Sequence, residues 1–165
     1  MVIRPEIAAD APAIHDLIGV AFRDLAYSDG TEAGIVDALR TDAALTLSLV
    51  AVEDTVIVGH SAFSPVAIEG TASGWFGLGP VAVRRENRRR GIGRQLIEAG
   101  LDELRTRDAR GCVVLGDPAY YARFGFAPDP ALFFAGAPSA YFQCLRFRGE
   151  QPAGEVRYHP AFGAT

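Results

Sequence analysis

The spacing of apolar residues predicts a short strand followed by two helices at the start of the chain. Residues 2–4 form the strand, which Pro5 ends. Asp10 precedes the first helical pattern, and we expect it to act as the N-cap. The apolar positions that recur at helical spacing are Ile14, Leu17, Ile18, Ala21 and Phe22 in the first helix and Ile35, Val36 and Leu39 in the second.

Three β-prone runs come next. Residues 45–52 and 56–68 flank the turn at Glu53 and predict an antiparallel hairpin. A third run covers residues 75–83 and contains Pro80, which cannot donate to a sheet ladder. We therefore expect this strand to be kinked or bulged at its middle.

The longest helical pattern runs from residue 93 to residue 108, and it places Arg94 and Glu98 at i,i+4 spacing on the outer face. A buried strand is predicted at residues 112–115, and a short helix follows that begins at Asp117-Pro118 and ends at Gly125. The last sheet region has its clearest strand at residues 141–147. In the long helix at residues 93–108, the apolar positions that we expect to face inward are Leu96, Ile97, Leu101 and Leu104.

A basic, glycine-containing turn joins the third β run to the long helix. The first amides of a helix have no internal acceptor and carry partial positive charge, so they bind phosphates well. Glycines at this point let an anion approach the backbone, and arginines add forked donors. We interpret the turn as a diphosphate-binding cradle formed by Arg88, Arg89, Arg90, Gly91, Ile92, Gly93 and Arg94.

Two common phosphate-binding motifs do not fit this turn. The dinucleotide fingerprint requires a third glycine where this chain has Leu96, and a Walker loop requires a lysine, which the chain lacks. A solvated basic turn, with Gly91 as ordinary punctuation, is the structural alternative.

Residues 88–93 fit the R/Q-x-x-G-x-G/A signature of the GNAT (Gcn5-related N-acetyltransferase) superfamily, and they follow a strand that ends at Val83, as in that family. Residues 120–126 match its second marker, aromatic-Tyr-x-x-x-Gly-Phe. The segments 115–121 and 156–162 most resemble the YhbS-like branch of predicted acetyltransferases. The resemblance covers essentially the whole chain.

The resemblance implies one α/β (α+β) GNAT-like domain over residues 1–165. Its mixed, mostly antiparallel sheet would have about six to seven strands, splayed in the middle and flanked by about four helices. It also implies acetyl-CoA as co-substrate, with the pantetheine arm beside Val81, Ala82 and Val83 and the Val81 amide as donor to the thioester carbonyl. The family position of the general acid falls on Tyr121, a phenol that stays protonated at neutral pH. The acceptor would be a small-molecule or peptide amine near Phe22, Tyr27 and Glu32, although Glu32 also suits a helix start.

The residues do not identify a general base. His60, Glu32 and Glu69 are the nominal choices, and a structural role for a strand histidine such as His60 is equally consistent with the pattern. Asp117 stands where many relatives have asparagine near the coenzyme; we expect it to cap a helix, because a carboxylate would repel phosphates.

Composition narrows the function classes. The formal charge of −4 disfavours nucleic acid, despite the local arginine cluster. No apolar run is long enough for a membrane span and no signal-peptide core follows Met1, so we expect a cytoplasmic protein without membrane contact. Cys112 and Cys144 predict free thiols, with no metal site. If the protein forms a homodimer, we expect Tyr141 and Phe147 to take part in it. The alternative function is that of a non-catalytic acyl-CoA-binding module.

Overall fold

The computed structural model describes residues 1–23, 25 and 28–163. Within these residues the chain forms four α-helices and eight β-strands. The helices are α1 (Ala11–Arg23), α2 (Glu32–Thr41), α3 (Ile92–Thr106) and α4 (Pro118–Tyr121). The strands are β1 (Val2–Pro5), β2 (Leu47–Glu53), β3 (Val56–Ile68), β4 (Thr71–Val83), β5 (Gly111–Leu115), β6 (Leu132–Phe133), β7 (Phe142–Arg146) and β8 (Gly154–Arg157).

Contacts divide the chain into two compact units. The first comprises Met1–Phe63 and Pro80–Gly100, and the second comprises Ser64–Gly79 and Leu101–Thr165. The single domain expected for residues 1–165 therefore stays a prediction.

The first unit contains an antiparallel ladder in the order β1-β2-β3. The predicted hairpin between β2 and β3 is present, and its turn places Asp54 and Thr55 at φ 50° and 67°. Positive φ at both central residues matches the twist of the flanking strands.

The ladder of the first unit has helices on both faces. Alternation along β2 sends Val50 to one face and Leu49 and Ala51 to the other. Val50 joins the core formed with α1 and α2, whereas Leu49 and Ala51 pack with the start of α3. The helical positions of the first core include Ile14, Leu17, Ile18, Ala21, Ala33 and Val36.

The second unit contains the order β3-β4-β5-β7, and the short strand β8 pairs with both β3 and β6. Strands β4 and β5 are parallel, whereas β5 and β7 are antiparallel. The parallel pairing ends at Leu78 and Val114, and Gly79 follows with φ 142°, at the predicted irregularity. A mixed sheet with four helices confirms the predicted α/β fold class.

One predicted helix cap is wrong. The carboxylate of Asp10 does not cap α1; it accepts hydrogen bonds from the Ile7 amide at 2.8 Å and from Arg4 at 2.7 Å. It closes the single 3₁₀ turn Ala8–Asp10 that precedes the helix. The reason is local: a carboxylate three residues after an exposed amide can satisfy that amide instead.

Several smaller predictions concern single side chains. Cys112 and Cys144 are free thiols, with Cys112 buried and Cys144 half-buried, and burial raises the pKa of both. Tyr141 is exposed, whereas Phe147 is half-buried, and the Arg105 guanidinium lies 4.6 Å from its ring centroid. Among the described residues, no helix is long and apolar enough to cross a membrane.

Candidate active site

The N-terminus of α3 presents a row of backbone amides. The Gly91 carbonyl accepts from the Gln95 amide at 3.0 Å, so Gly91 occupies the N-cap position just before α3. Among the described residues, nothing accepts a hydrogen bond from the amides of Gly91, Ile92 or Gly93. Gly91 has φ 78°, and a Cβ built on it would meet no heavy atom within 4 Å. An anion can therefore approach this helix end freely.

Two glycines bring α3 close to β3. A Cβ at Gly59 would lie 2.9 Å from Leu96 Cδ1 and 3.0 Å from Ile92 Cγ2. A Cβ at Gly100 would lie 2.1 Å from Phe63 Cε1, a distance that real contacts do not reach. Side chains of α3 thus pack on the strand backbone at Gly59, and the Phe63 ring of β3 packs on the helix backbone at Gly100, which together fix the position of the helix end described above.

Two arginines of the predicted cradle make contacts within the first unit. Arg88 donates to the carbonyls of Ala21 at 3.1 Å and Val83 at 3.3 Å, and so ties the end of α1 to the end of β4. Arg90 makes a two-pronged pair with Glu53 at 2.8 and 3.2 Å. The hydrogen bond from Arg90 is the main reason that the pKa of Glu53 is lowered. The charge of Arg90 is thereby partly neutralised before any ligand binds.

The other two arginines differ from these. Arg94 pairs with Glu98 at 2.9 Å, which confirms the i,i+4 prediction. Arg89 is exposed, has φ 65° and makes no side-chain hydrogen bond or ion pair with any described residue. A non-glycine residue at positive φ is uncommon. Arg89 is consequently the cradle arginine best able to meet an anion.

Val81, Ala82 and Val83 form the end of β4. Ala82 is buried in the core with α1 and α2, whereas Val81 and Val83 are half-buried. The next amide, that of Arg84, donates to the Val58 carbonyl at 2.8 Å, which sets this segment against β3.

Tyr121 ends helix α4 in the second unit. As predicted, Asp117 caps this helix by accepting from the Ala119 amide at 2.9 Å, and Pro118 occupies its first position. The half-buried Tyr121 ring lies against Gly116, where a Cβ would be 2.4 Å from Cε2. Edge contacts with Tyr120, at 5.0 Å between centroids, further fix the ring.

The residues predicted on the acceptor side have different surroundings. Phe22 is half-buried and packs against the core of α1 and α2. Glu32 begins α2, but its carboxylate accepts from Ser28 Oγ at 2.6 Å, and the N-cap residue Thr31 makes no side-chain capping bond. Tyr27 lies outside the described residues. Glu69, one of the nominal bases, accepts from the Glu155 amide at 3.1 Å in a strand turn, which is a structural role.

His60 is completely buried on β3 and belongs to a chain of polar contacts. Its Nε2 is 2.7 Å from Ser48 Oγ, and Ser48 in turn donates to Glu6. Arg40 holds the Glu6 carboxylate with hydrogen bonds of 2.8 and 3.0 Å. Burial raises the pKa of Glu6, but the hydrogen bonds from Arg40 and Ser48 outweigh it and the pKa falls below its usual value. Burial lowers the pKa of His60 to about 4, so the imidazole is neutral at physiological pH.

Sequence reasoning missed two contributors to these arrangements. The sequence at Glu53 predicts only a turn, and its partner Arg90 is 37 residues away. Gly116 carries a local signal, because a glycine between a buried strand and a helix cap often marks close backbone packing. That signal predicts close packing against Gly116, but it does not identify Tyr121 as the residue that packs there.

Known proteins resemble this chain over nearly its whole length. The family model of the acetyltransferase (GNAT) domain matches residues 44–128. The uncharacterized N-acetyltransferase YhbS of Escherichia coli strain K12 is 41% identical, and the match covers 98% of both chains. A GNAT family acetyltransferase from Brucella melitensis, solved in complex with acetyl-CoA, is 51% identical with a TM-score of 0.89 over 98% of this chain and 97% of its own. The structure of E. coli YhbS in complex with CoA is 38% identical, also with a TM-score of 0.89, over 98% and 91% of the two chains.

The chain belongs to the GNAT family of acetyltransferases. The family, its YhbS-like branch and the acyltransferase class predicted from the sequence are confirmed. The assignment of individual site residues stays a prediction.

Proposed function

We propose that the protein transfers an acetyl group from acetyl-CoA to a primary amine by direct attack in a ternary complex. The diphosphate of the coenzyme binds the amides at the start of α3 with help from Arg89. The observation that carries this proposal is the helix end itself, where the amides of Gly91, Ile92 and Gly93 have no acceptor among the described residues and Gly91 leaves the approach unobstructed. Relatives at 51% and 38% identity bind acetyl-CoA and CoA, respectively, which supports the same ligand here.

The remaining chemistry is assigned to two further groups. The backbone at Val81–83 flanks the thioester, and the Val81 amide donates to the carbonyl oxygen as negative charge develops there. Such a donor contributes about 3 to 4 kcal/mol in measured oxyanion holes. The Tyr121 hydroxyl gives its proton to the departing thiolate. The amine nitrogen forms a bond to the acyl carbon and gives up one proton to a base, the carbon–sulfur bond breaks, and CoA leaves as the thiol. The Tyr121 phenolate then regains its proton from solvent.

Calorimetric titration with acetyl-CoA, with NADH and ATP as controls, tests the binding part of this proposal. Gly91→Glu introduces bulk and negative charge at the helix end and should abolish binding. Gly70→Glu is the matched control, because Gly70 also has positive φ (75°, against 78° at Gly91) and also has no neighbour within 4 Å of a built Cβ. Equal affinity for acetyl-CoA in the Gly91→Glu variant and the wild type would refute the cradle.

Turnover measured across a panel of primary amines tests the catalytic part. Tyr121→Phe should lower kcat by about 100-fold or more, in the range for loss of a general acid, and leave acetyl-CoA affinity nearly unchanged. Tyr120→Phe is the control, since its ring belongs to the same aromatic cluster. Unchanged turnover in Tyr121→Phe would reject the acid role, and tight acetyl-CoA binding without transfer to any amine would favour a non-catalytic binding module.

A further inference from the structure

The hydrogen-bond chain at His60 determines which of its ring nitrogens carries the proton. A serine hydroxyl has a single proton to donate, and the Ser48 hydroxyl gives it to Glu6. Ser48 Oγ must then accept from His60, so the proton of the neutral ring resides on Nε2. Nδ1 is left with a free lone pair.

That lone pair has no partner among the described residues, although His60 is completely buried. A buried acceptor without a donor is uncommon in proteins and calls for an explanation such as a bound water or a ligand. The opposite edge of the ring, by contrast, is held by Ser48, which is itself fixed by Glu6 and, through Glu6, by Arg40. The ring is thus fixed so that Nδ1 presents an unused acceptor.

His60 lies beside the segment assigned to the thioester. The Arg84 amide donates to the Val58 carbonyl, which sets these two residues opposite each other in the β3–β4 hairpin. Because paired strands of a hairpin run antiparallel, two positions forward on β3 and two positions back on β4 bring His60 alongside Ala82. A Cβ built at Gly59 would be 3.4 Å from the Ala82 carbonyl, in agreement with this alignment. Alternation along β3 sends His60 to the same face as Ala62, which shares a buried cluster with Ala82.

We propose that Nδ1 of His60 is the proton acceptor for the attacking amine. The inference rests on the proposed acetyl transfer and supplies the base that the sequence did not identify. As the amine nitrogen bonds to the acyl carbon, its N–H proton passes to Nδ1 through one bound water, because the ring itself is completely buried, while the carbon–sulfur bond breaks. The thiolate takes its proton from the general acid, and the imidazolium later releases its proton to solvent.

The charged groups near the ring are compatible with this role. Glu6 favours the imidazolium and Arg40 disfavours it, and both belong to the same polar chain. Arg40 also contacts Asp37, which pairs with the exposed His15. The neutral ring keeps its lone pair available at physiological pH, and the proton is held only transiently.

The test compares His60→Gln with the wild type and with Ser64→Ala. Glutamine can keep the hydrogen bond to Ser48 at the Nε2 position but has no group equivalent to Nδ1. Ser64 is the matched control, because its Oγ is a second buried side-chain atom on β3 without a partner among the described residues. We expect His60→Gln to lower kcat/KM for the amine by about 100-fold at pH 7. Its acetyl-CoA affinity should stay within about twofold, and Ser64→Ala should match the wild type.

The pH profile separates a lost base from a damaged fold. In His60→Gln the deficit should shrink as the pH rises toward about 9.5, because hydroxide then replaces the missing base. A deficit that does not depend on pH would overturn the proposal, as would wild-type activity in the variant. If His60→Gln does not fold, Ser48→Ala, which releases the ring, should show a smaller deficit with the same pH trend. A protein that binds no acetyl-CoA and acetylates no amine would refute the proposed function, and this inference with it.

Discussion

Replacing His60 by glutamine should reduce the loss of stability that the protein undergoes between pH 8 and pH 5. The wild-type ring is buried, its Nε2 proton goes to Ser48, and its Nδ1 has no partner among the described residues. A second proton on this ring would be a buried charge, so the folded state resists protonation. The unfolded chain has no such restriction and takes up a proton near the ordinary pKa.

The magnitude follows from the two pKa values. Burial lowers the pKa of His60 from 6.5 to about 4 in the folded protein. The unfolded state therefore binds more protons between these values, and the free energy of unfolding falls as the pH falls through this window. At pH 5 the expected loss is about 2 kcal/mol, and the full loss below pH 4 is about 3 kcal/mol.

Urea denaturation at pH 8 and pH 5, followed by circular dichroism, measures this loss. The lowered pKa of Glu6 also makes the stability of the protein depend on pH. That contribution is lost as the pH falls through the lowered pKa of Glu6, which lies below 4.5 and so outside the measured interval. The His60→Gln variant should lose about 2 kcal/mol less than the wild type between the two pH values. If both proteins lose the same free energy, His60 is not a buried neutral histidine and the reasoning fails.

Three further outcomes are expected. Gly100→Ala should lower the free energy of unfolding by about 1 to 3 kcal/mol in urea titrations, because its Cβ would collide with Phe63. Glu53→Gln should tighten acetyl-CoA binding a few-fold in calorimetry, because it frees Arg90 and removes a carboxylate near the anion site. Asp117→Ala should cost about 1 kcal/mol of stability through loss of its cap on α4. An unchanged free energy of unfolding in Gly100→Ala or Asp117→Ala would contradict the contact argued for that residue. Unchanged or weaker acetyl-CoA binding in Glu53→Gln would contradict the one argued for Glu53.

Local patterns were sufficient to predict the elements that carry the candidate site. The apolar spacing of α3 predicted its buried face, and all four predicted inward residues are buried. Asp117 with Pro118 predicted the start of α4, since capping depends on residues within one turn. The Arg94–Glu98 pair was predictable for the same reason.

Contacts between distant parts of the chain were not predictable in this way. The pairing of Arg90 with Glu53 and the hold of Arg88 on the Ala21 carbonyl depend on how strands and helices pack. The free Nδ1 of His60 was even less predictable from the sequence, because it depends on the direction of the Ser48 hydroxyl proton. The arginine cluster therefore predicted a basic surface, but it could not show which charges were already engaged.

The contact of α3 with β3 through Gly59 and Gly100 has a consequence for the thermodynamics of ligand binding. Folding alone fixes the helix end, since its position is set by side chains packed against bare backbone, that of the strand at Gly59 and that of the helix at Gly100. Ligand binding then requires less ordering of the protein, and preorganised sites of this kind bind with a smaller unfavourable entropy. Substitutions at these two buried glycines, although they lie away from the amides, should therefore weaken coenzyme affinity by loosening the helix rather than by removing a contact.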